Sequence, residues 1–153
     1  MRKKSIRTEG CNTHNKEKTA GKNKSAIYRH RADYSWKGIK DESYKPVGGG
    51  WQDIVRKVII GSHGESTHFH LRYFEIMPGG FSTLERHRHE HVVICVRGKG
   101  RILIGEKLHR VDFLDTVYIS PNTIHQLTNP FDEPFGFFCI VNAKRDKPKL
   151  IKS

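Results

Sequence analysis

Residues 79–100 read GGFSTLERHRHEHVVICVRGKG, and the fold turns on how this stretch is read. Glu85, His87, His89 and His91 stand at every second position, an apolar run follows, and Gly98-Lys99-Gly100 closes it in a turn. Side chains two apart in an extended strand point to the same face, so the spacing predicts four metal-competent groups in a row on one side of a strand. A solvated loop has no need of that alternation.

The sequence on either side is consistent with a sheet around that row. After it, residues 101–104 (RILI) return from the glycine turn, 116–120 (TVYIS) are strand-like, and Pro121-Asn122-Thr123 turns the chain into His125. Residues 135–141 (FGFFCIV) make a last strand. Before it, 68–76 (HFHLRYFEI) close at Pro78-Gly79-Gly80, and 54–60 are rich in Val and Ile. Short apolar segments with turn residues at these intervals predict a sandwich or barrel, and no segment carries a helical stripe. The expected fold class is all-β: one barrel over 53–143, preceded by an irregular aromatic arm over 26–52. A closed barrel turns alternate residues inward, so His125 can meet the Glu85–His91 row across a cavity.

At 153 residues the chain suits one domain with tails. The net charge of +12 resides mostly in the ends: residues 1–24 carry eight basic against two acidic groups, and 144–153 carry five against one. The body between is close to neutral. Residues 1–25 therefore read as a disordered basic tail and 144–153 as a second basic tail, which argues against nucleic acid as the main partner. No apolar stretch approaches a membrane span, so no membrane partner is expected. Cys11, Cys95 and Cys139 are odd in number and widely spaced, which fits free thiols rather than a disulfide framework or a CxxC zinc site. With no apolar secretion segment at the N-terminus, the expected location is cytoplasmic.

Three imidazoles and a carboxylate suit one mid-to-late first-row divalent ion such as Mn, Fe, Ni or Zn, and three or four protein ligands leave room for water or substrate. Cys95, four residues beyond His91, shares its inward face, and Cys139 lies in the last strand. A buried core role is the ordinary expectation for each thiol; the functional alternative is a thiolate nucleophile beside the cavity.

The chain resembles the cupin superfamily. Its first motif, G-x5-H-x-H-x3-E-x6-G, matches in spacing at Gly79, Glu85, His87, His91 and Gly98, with Glu and His exchanged at the first and third ligand positions. The second, G-x5-P-x-G-x2-H-x3-N, falls on Leu114, Ser120, Asn122, His125 and Asn129. The resemblance implies a small single-domain jelly roll with the ligand set Glu85, His87, His91 and His125. A second register remains open, in which His87, His89 and His91 ligate and Glu85 stands behind them. The segments ERHRHEH, GFFC and KRDKP further resemble a cupin subgroup that includes methylsulfurylases of methylthio-sugar salvage, which move a methylthio group from a ketose phosphate to a thiol. That likeness implies Cys139 as the sulfur acceptor, Cys95 and His89 as further catalytic candidates, and Arg72 and Glu75 as candidates to hold a phosphorylated substrate. The expectation is a metalloenzyme acting on a small sugar-like or carbonyl substrate. A metal-dependent dioxygenase and a non-catalytic ligand-sensing module are the alternatives. By analogy with cupins the chain is expected to be a homodimer, with the arm at its interface.

Overall fold

The computed structural model describes residues 24–151. Among them there is no helix, and therefore none long and apolar enough to cross a membrane. Eleven strands form: β1 (Glu42–Ser43), β2 (Gln52–Ile60), β3 (Phe69–Phe81), β4 (Glu85–Arg86), β5 (His91–Arg97), β6 (Gly100–Ile104), β7 (Lys107–Val111), β8 (Thr116–Ile119), β9 (His125–Thr128), β10 (Phe135–Asn142) and β11 (Lys149–Leu150). Every pairing is antiparallel. One layer runs β1-β2-β3-β10-β5-β8. The other runs β7-β6-β9-β4-β11. The end of β3 joins them, Phe81 pairing with Thr128 of β9. The sheet thus curls into the all-β barrel that the sequence predicts.

Period-two alternation builds the core. Along β10, Phe135, Phe137, Cys139 and Val141 are buried in the interior with Phe74 and Ile76 of β3 and Val93 and Cys95 of β5. The other face of this layer is covered as well. Tyr73 is fully buried because the arm lies over it, its ring 5.1 Å from Trp36 and 5.9 Å from Tyr34. Each aromatic side chain buried in this way contributes about 1.5–3 kcal/mol, enough to hold an otherwise irregular segment onto its own barrel.

Three features differ from the sequence reading. Strand β3 does not close at Pro78-Gly79-Gly80 but bends there and runs on to Phe81. Gly79 has φ 81°, and a Cβ on Gly80 would lie 2.8 Å from the Gln52 carbonyl oxygen, so the glycines let the strand cross between layers. The Glu85–His91 row is not one strand: β4 ends at Arg86 and β5 begins at His91, with residues 87–90 irregular between them. The alternation survives the break, since Glu85, His87, His89 and His91 are buried and Arg86, Arg88 and Glu90 are exposed. Finally, residues 144–151 do not hang free. β11 pairs with β4, and the Ile151 N–H donates to the Leu84 carbonyl at 2.9 Å. The basic N-terminal tail, with Cys11, lies outside the described residues except for Lys24 and Ser25.

Candidate functional site

The two halves of the site meet by strand register. Glu85 of β4 pairs directly with His125 of β9, forty residues later in the chain. The turn before β9 ties in the irregular segment, because the Asn122 N–H donates to the His87 carbonyl at 2.7 Å. Asn122 sits at φ 63° and Leu114 at φ 70°, the two positions where the resembling motif carries glycine. Asn adopts this left-handed conformation readily, whereas for Leu it costs about 1–2 kcal/mol. Gly98 keeps its glycine at φ 59°, where a Cβ would lie 2.4 Å from the Pro134 oxygen.

His87, His91 and His125 converge so that their ligand nitrogens all lie within 4.8 Å of one another. Their tautomers are set from behind. His87 Nδ1 is 2.7 Å from the His89 carbonyl and His125 Nδ1 is 2.9 Å from the Thr123 carbonyl. A carbonyl only accepts, so each Nδ1 carries the proton and each Nε2 keeps its lone pair. The Nε2 atoms of His87 and His91 are buried with no hydrogen-bond partner. Burial holds all three imidazoles below their ordinary pKa, and a neighbouring imidazole adds to it: His89 for His87, His87 and His125 for His91, and His87 for His125. Neutral, converging nitrogens with orphaned lone pairs are the donor set a divalent metal requires, so this is a three-histidine site compatible with one.

Glu85 is at the edge of that group. Its Oε1 is 3.9 Å from His87 Nε2. Its Oε2 is occupied by the Lys45 ammonium and by the Thr83 hydroxyl, which donates at 2.5 Å. Lys45 comes from the arm, as does Tyr44, whose hydroxyl is 3.1 Å from Thr83 Oγ1. Burial, and then the nearby Glu85 charge, push the Tyr44 phenol up to about 12.

His89 does not join the three. It stacks face to face on His87, ring centroids 3.6 Å apart, and its Nδ1 is 2.8 Å from Asp146 Oδ1. The Asp146 carboxylate also accepts the N–H groups of Arg88 and His89, at 2.9 and 3.0 Å. The Arg88 N–H first, then the His89 ring, and after it the His89 N–H hold its pKa well below the carboxylate range. Burial depresses the His89 imidazole and Asp146 opposes that shift.

Cys139 pairs across strands with Arg72, and both line the same cavity of about 170 Å³ as Glu85, His89, His91 and His125. That is below the size of a drug-like ligand site and suits a small metabolite. Arg72 Nη2 donates to Cys139 Sγ at 3.2 Å, and His91 Nδ1 stands 3.5 Å from it. In the tautomer that frees His91 Nε2, Nδ1 carries its proton toward the sulfur. Burial pushes the Cys139 thiol up and the Arg72 charge pulls it back.

Two sequence candidates are placed elsewhere. Cys95 does face inward, but its Sγ is 3.5 Å from the Gly98 carbonyl in the apolar core, and it is not among the cavity residues. Glu75 is three residues from Arg72 and so points to the opposite face of β3, where it accepts from Tyr73 Oη at 2.6 Å and Arg97 Nη1 at 2.7 Å. Of the pair, only Arg72 reaches the cavity. Conversely, Thr83 and Lys45 belong to the site without being sequence candidates, as do Arg145 and Asp146, which enter the sequence reading only within KRDKP. Thr83 continues the alternation of the row by one step, and Asp146 is the one acid in a basic tail, so both left a signal; Lys45, on an irregular arm, left none.

The family model described as Cupin domain matches residues 72–141. Over 121 residues the chain is 40% identical to the 1-methylthio-D-xylulose 5-phosphate methylsulfurylase of Rhodospirillum rubrum, covering 78% of this chain and 76% of that one. A solved cupin-2 domain from Rhodospirillum rubrum superposes with a TM-score of 0.72 at 38% identity, over 82% of this chain and 84% of that chain. A solved cupin 2 conserved barrel domain protein from Rhodopseudomonas palustris does so with a TM-score of 0.76 at 36% identity, over 84% and 88% of the two chains.

Proposed function

This chain belongs to the cupin family, and on that footing we propose that it is a metal-dependent methylsulfurylase, moving the methylthio group of 1-methylthio-D-xylulose 5-phosphate to a thiol. The observation that carries the reading is Cys139, whose sulfur faces the Arg72 guanidinium and the His91 N–H beside a three-histidine cluster. Two N–H donors aimed at one sulfur favour the thiolate, the form that attacks.

In the step, the Cys139 thiolate attacks the methylthio sulfur. An S–S bond forms, the C–S bond breaks, and its electron pair goes to C1 of the sugar as an enolate. A proton on C1 then gives the 1-deoxy ketose phosphate. A second thiol attacks the mixed disulfide, carries the methylthio group away as a methyl disulfide and returns Cys139 as thiolate. The carbon is reduced, and the methylthio sulfur and the acceptor thiol's sulfur are oxidised to one disulfide, so no outside oxidant or reductant is needed.

His87, His91 and His125 would hold a divalent Mn, Fe, Ni or Zn ion, which would supply Lewis acidity toward the ketose oxygens. Arg72 opposes the burial that favours the protonated thiol and orients the sulfur. His89 carries the proton in this reading: Asp146 takes its Nδ1–H, and Nε2 exchanges a proton with the sugar carbon.

The test is turnover of 1-methylthio-D-xylulose 5-phosphate by the metal-loaded protein with a small thiol, followed as release of 1-deoxy-D-xylulose 5-phosphate. Cys139→Ser is expected to lower kcat by about 10³-fold or more, and without added thiol the native protein should carry a methylthio adduct on Cys139 by intact mass. An undiminished rate in the variant would remove Cys139 as nucleophile. Oxygen uptake without methylthio transfer would favour the dioxygenase reading.

A further inference from the structure

Arg72 is a buried cation without a carboxylate. It is 9% exposed, no carboxylate lies within ion-pair distance of it among the described residues, and its Nε is buried with no hydrogen-bond partner. Its Nη2 is committed to Cys139, and its guanidinium lies 5.0 Å from the Phe74 ring. A buried charge left in this condition is costly, and proteins keep such groups where a ligand supplies the partner.

Two more guanidiniums reach the same cavity. Arg56 of β2 is diagonal to Arg72 across the β2–β3 ladder, since Phe74 pairs with Arg56 and Arg72 with Val58. Arg145 comes in from the C-terminal segment just after β10, its Nη1 donating to the Asn142 carbonyl at 3.0 Å. Glu42 neutralises Arg56, with contacts of 2.8 and 3.1 Å. Arg145, like Arg72, has no carboxylate partner among the described residues. Arg145 is otherwise exposed, and partial burial, then the charges of Arg72 and Arg56, weaken its hold on its proton.

We propose that Arg72, Arg145 and Arg56 form a phosphate seat at this cavity, taking the phosphoryl group of a small sugar phosphate whose other end lies toward Cys139 and the three histidines. The two guanidiniums without carboxylates match a phosphate monoester, which carries close to two negative charges at neutral pH. Their planar N–H forks match its oxygens in geometry. A neutral sugar would leave Arg72 Nε unpaired and the like charges unrelieved. The C-terminal segment is then part of the binding site: Asp146, next to Arg145, fixes it to the His87–His89 segment, and β11 fixes it to β4. The choice of phosphate over another anion rests on the sugar-phosphate reading given above, while the convergence of cations does not.

The experiment uses the full chain and calorimetric titration with D-ribulose 5-phosphate and with D-ribulose, in the native protein and in Arg145→Gln, Arg145→Lys and Arg56→Gln. The native protein should bind the phosphorylated sugar at least about tenfold more tightly. Arg145→Gln should remove most of that preference, Arg145→Lys should restore part of it, and inorganic phosphate should compete only where the preference exists. In turnover, Arg145→Gln should raise KM for the phosphorylated substrate with little change in kcat. Equal affinity for the two sugars in the native protein, or an unchanged preference in Arg145→Gln, overturns the seat. An Arg145-dependent preference in a protein that transfers no methylthio group would uphold the seat and overturn the proposed reaction. Transfer with the preference intact in Arg145→Gln would do the reverse.

Discussion

His125 and Glu85 face each other across one strand pair, yet they hold different stakes in a metal. His125 offers a lone pair fixed by the Thr123 carbonyl, whereas Glu85 already gives one oxygen to Lys45 and Thr83. His125→Ala is therefore expected to weaken divalent-metal binding by more than about 100-fold, and Glu85→Ala by roughly tenfold. Elemental analysis after dialysis against a chelator measures both. Metal retained at the native level in the two variants would rule the cluster out as the ligand set. At this scale most of the site was legible from the alternation of residues 85–91 and the lone His125. What distinguished His89 from His91 was not: the two share parity and residue type, both stack on His87, and the Asp146 contact sets His89 apart.

The C-terminal segment is the element whose role changes most. As sequence it is a run of Lys and Arg with one acid, which reads as solvated; in the fold its one acid caps two backbone N–H groups in the irregular stretch between β4 and β5. That stretch carries His87 and lacks ladder hydrogen bonds of its own, so its order depends on the cap. Asp146→Ala should speed amide hydrogen exchange at Arg88 and His89 by about tenfold or more and weaken metal binding several-fold, while amides in β3 and β10 keep their protection. Unchanged exchange at Arg88 and His89 would mean the segment does not restrain them. The aromatic arm follows the same logic. Its sequence has no periodicity because its residues are placed one by one, Trp36 over Tyr73 and Lys45 beside Glu85, rather than along a repeating face.

For the molecule as a whole, the buried histidines set the response to pH. His87, His89, His91 and His125 all bind protons less readily in the fold than an ordinary histidine, whose pKa is about 6.5, in each case first because of burial. Below about pH 6.5 the unfolded chain takes up protons that the native state refuses, so stability falls as pH falls and is regained on returning to neutral. Asp146 adds to this at lower pH, since its carboxylate is held ionised in the fold. Metal-free protein should thus show a Tm that declines steadily from pH 7 to pH 5, and a saturating divalent ion should raise Tm most at the neutral end, where the imidazoles are free of protons. A flat Tm profile in the metal-free protein would mean that these histidines are not buried as neutral groups.

The sequence by itself determined the all-β class, the histidines of the candidate cluster and the inward face of most strands, because each depends on a period of two or a turn residue, and both are local properties of the chain. It misplaced Glu75 through parity and read the row from Glu85 to His91 as one strand, because alternation in burial persists where hydrogen-bonded pairing does not. Only the tertiary structure decided which groups share a cavity. Cys139 meets Arg72 and His91 through strand register, and Lys45, Arg145 and Asp146 arrive from segments with no repeating pattern, held by single contacts that no spacing encodes.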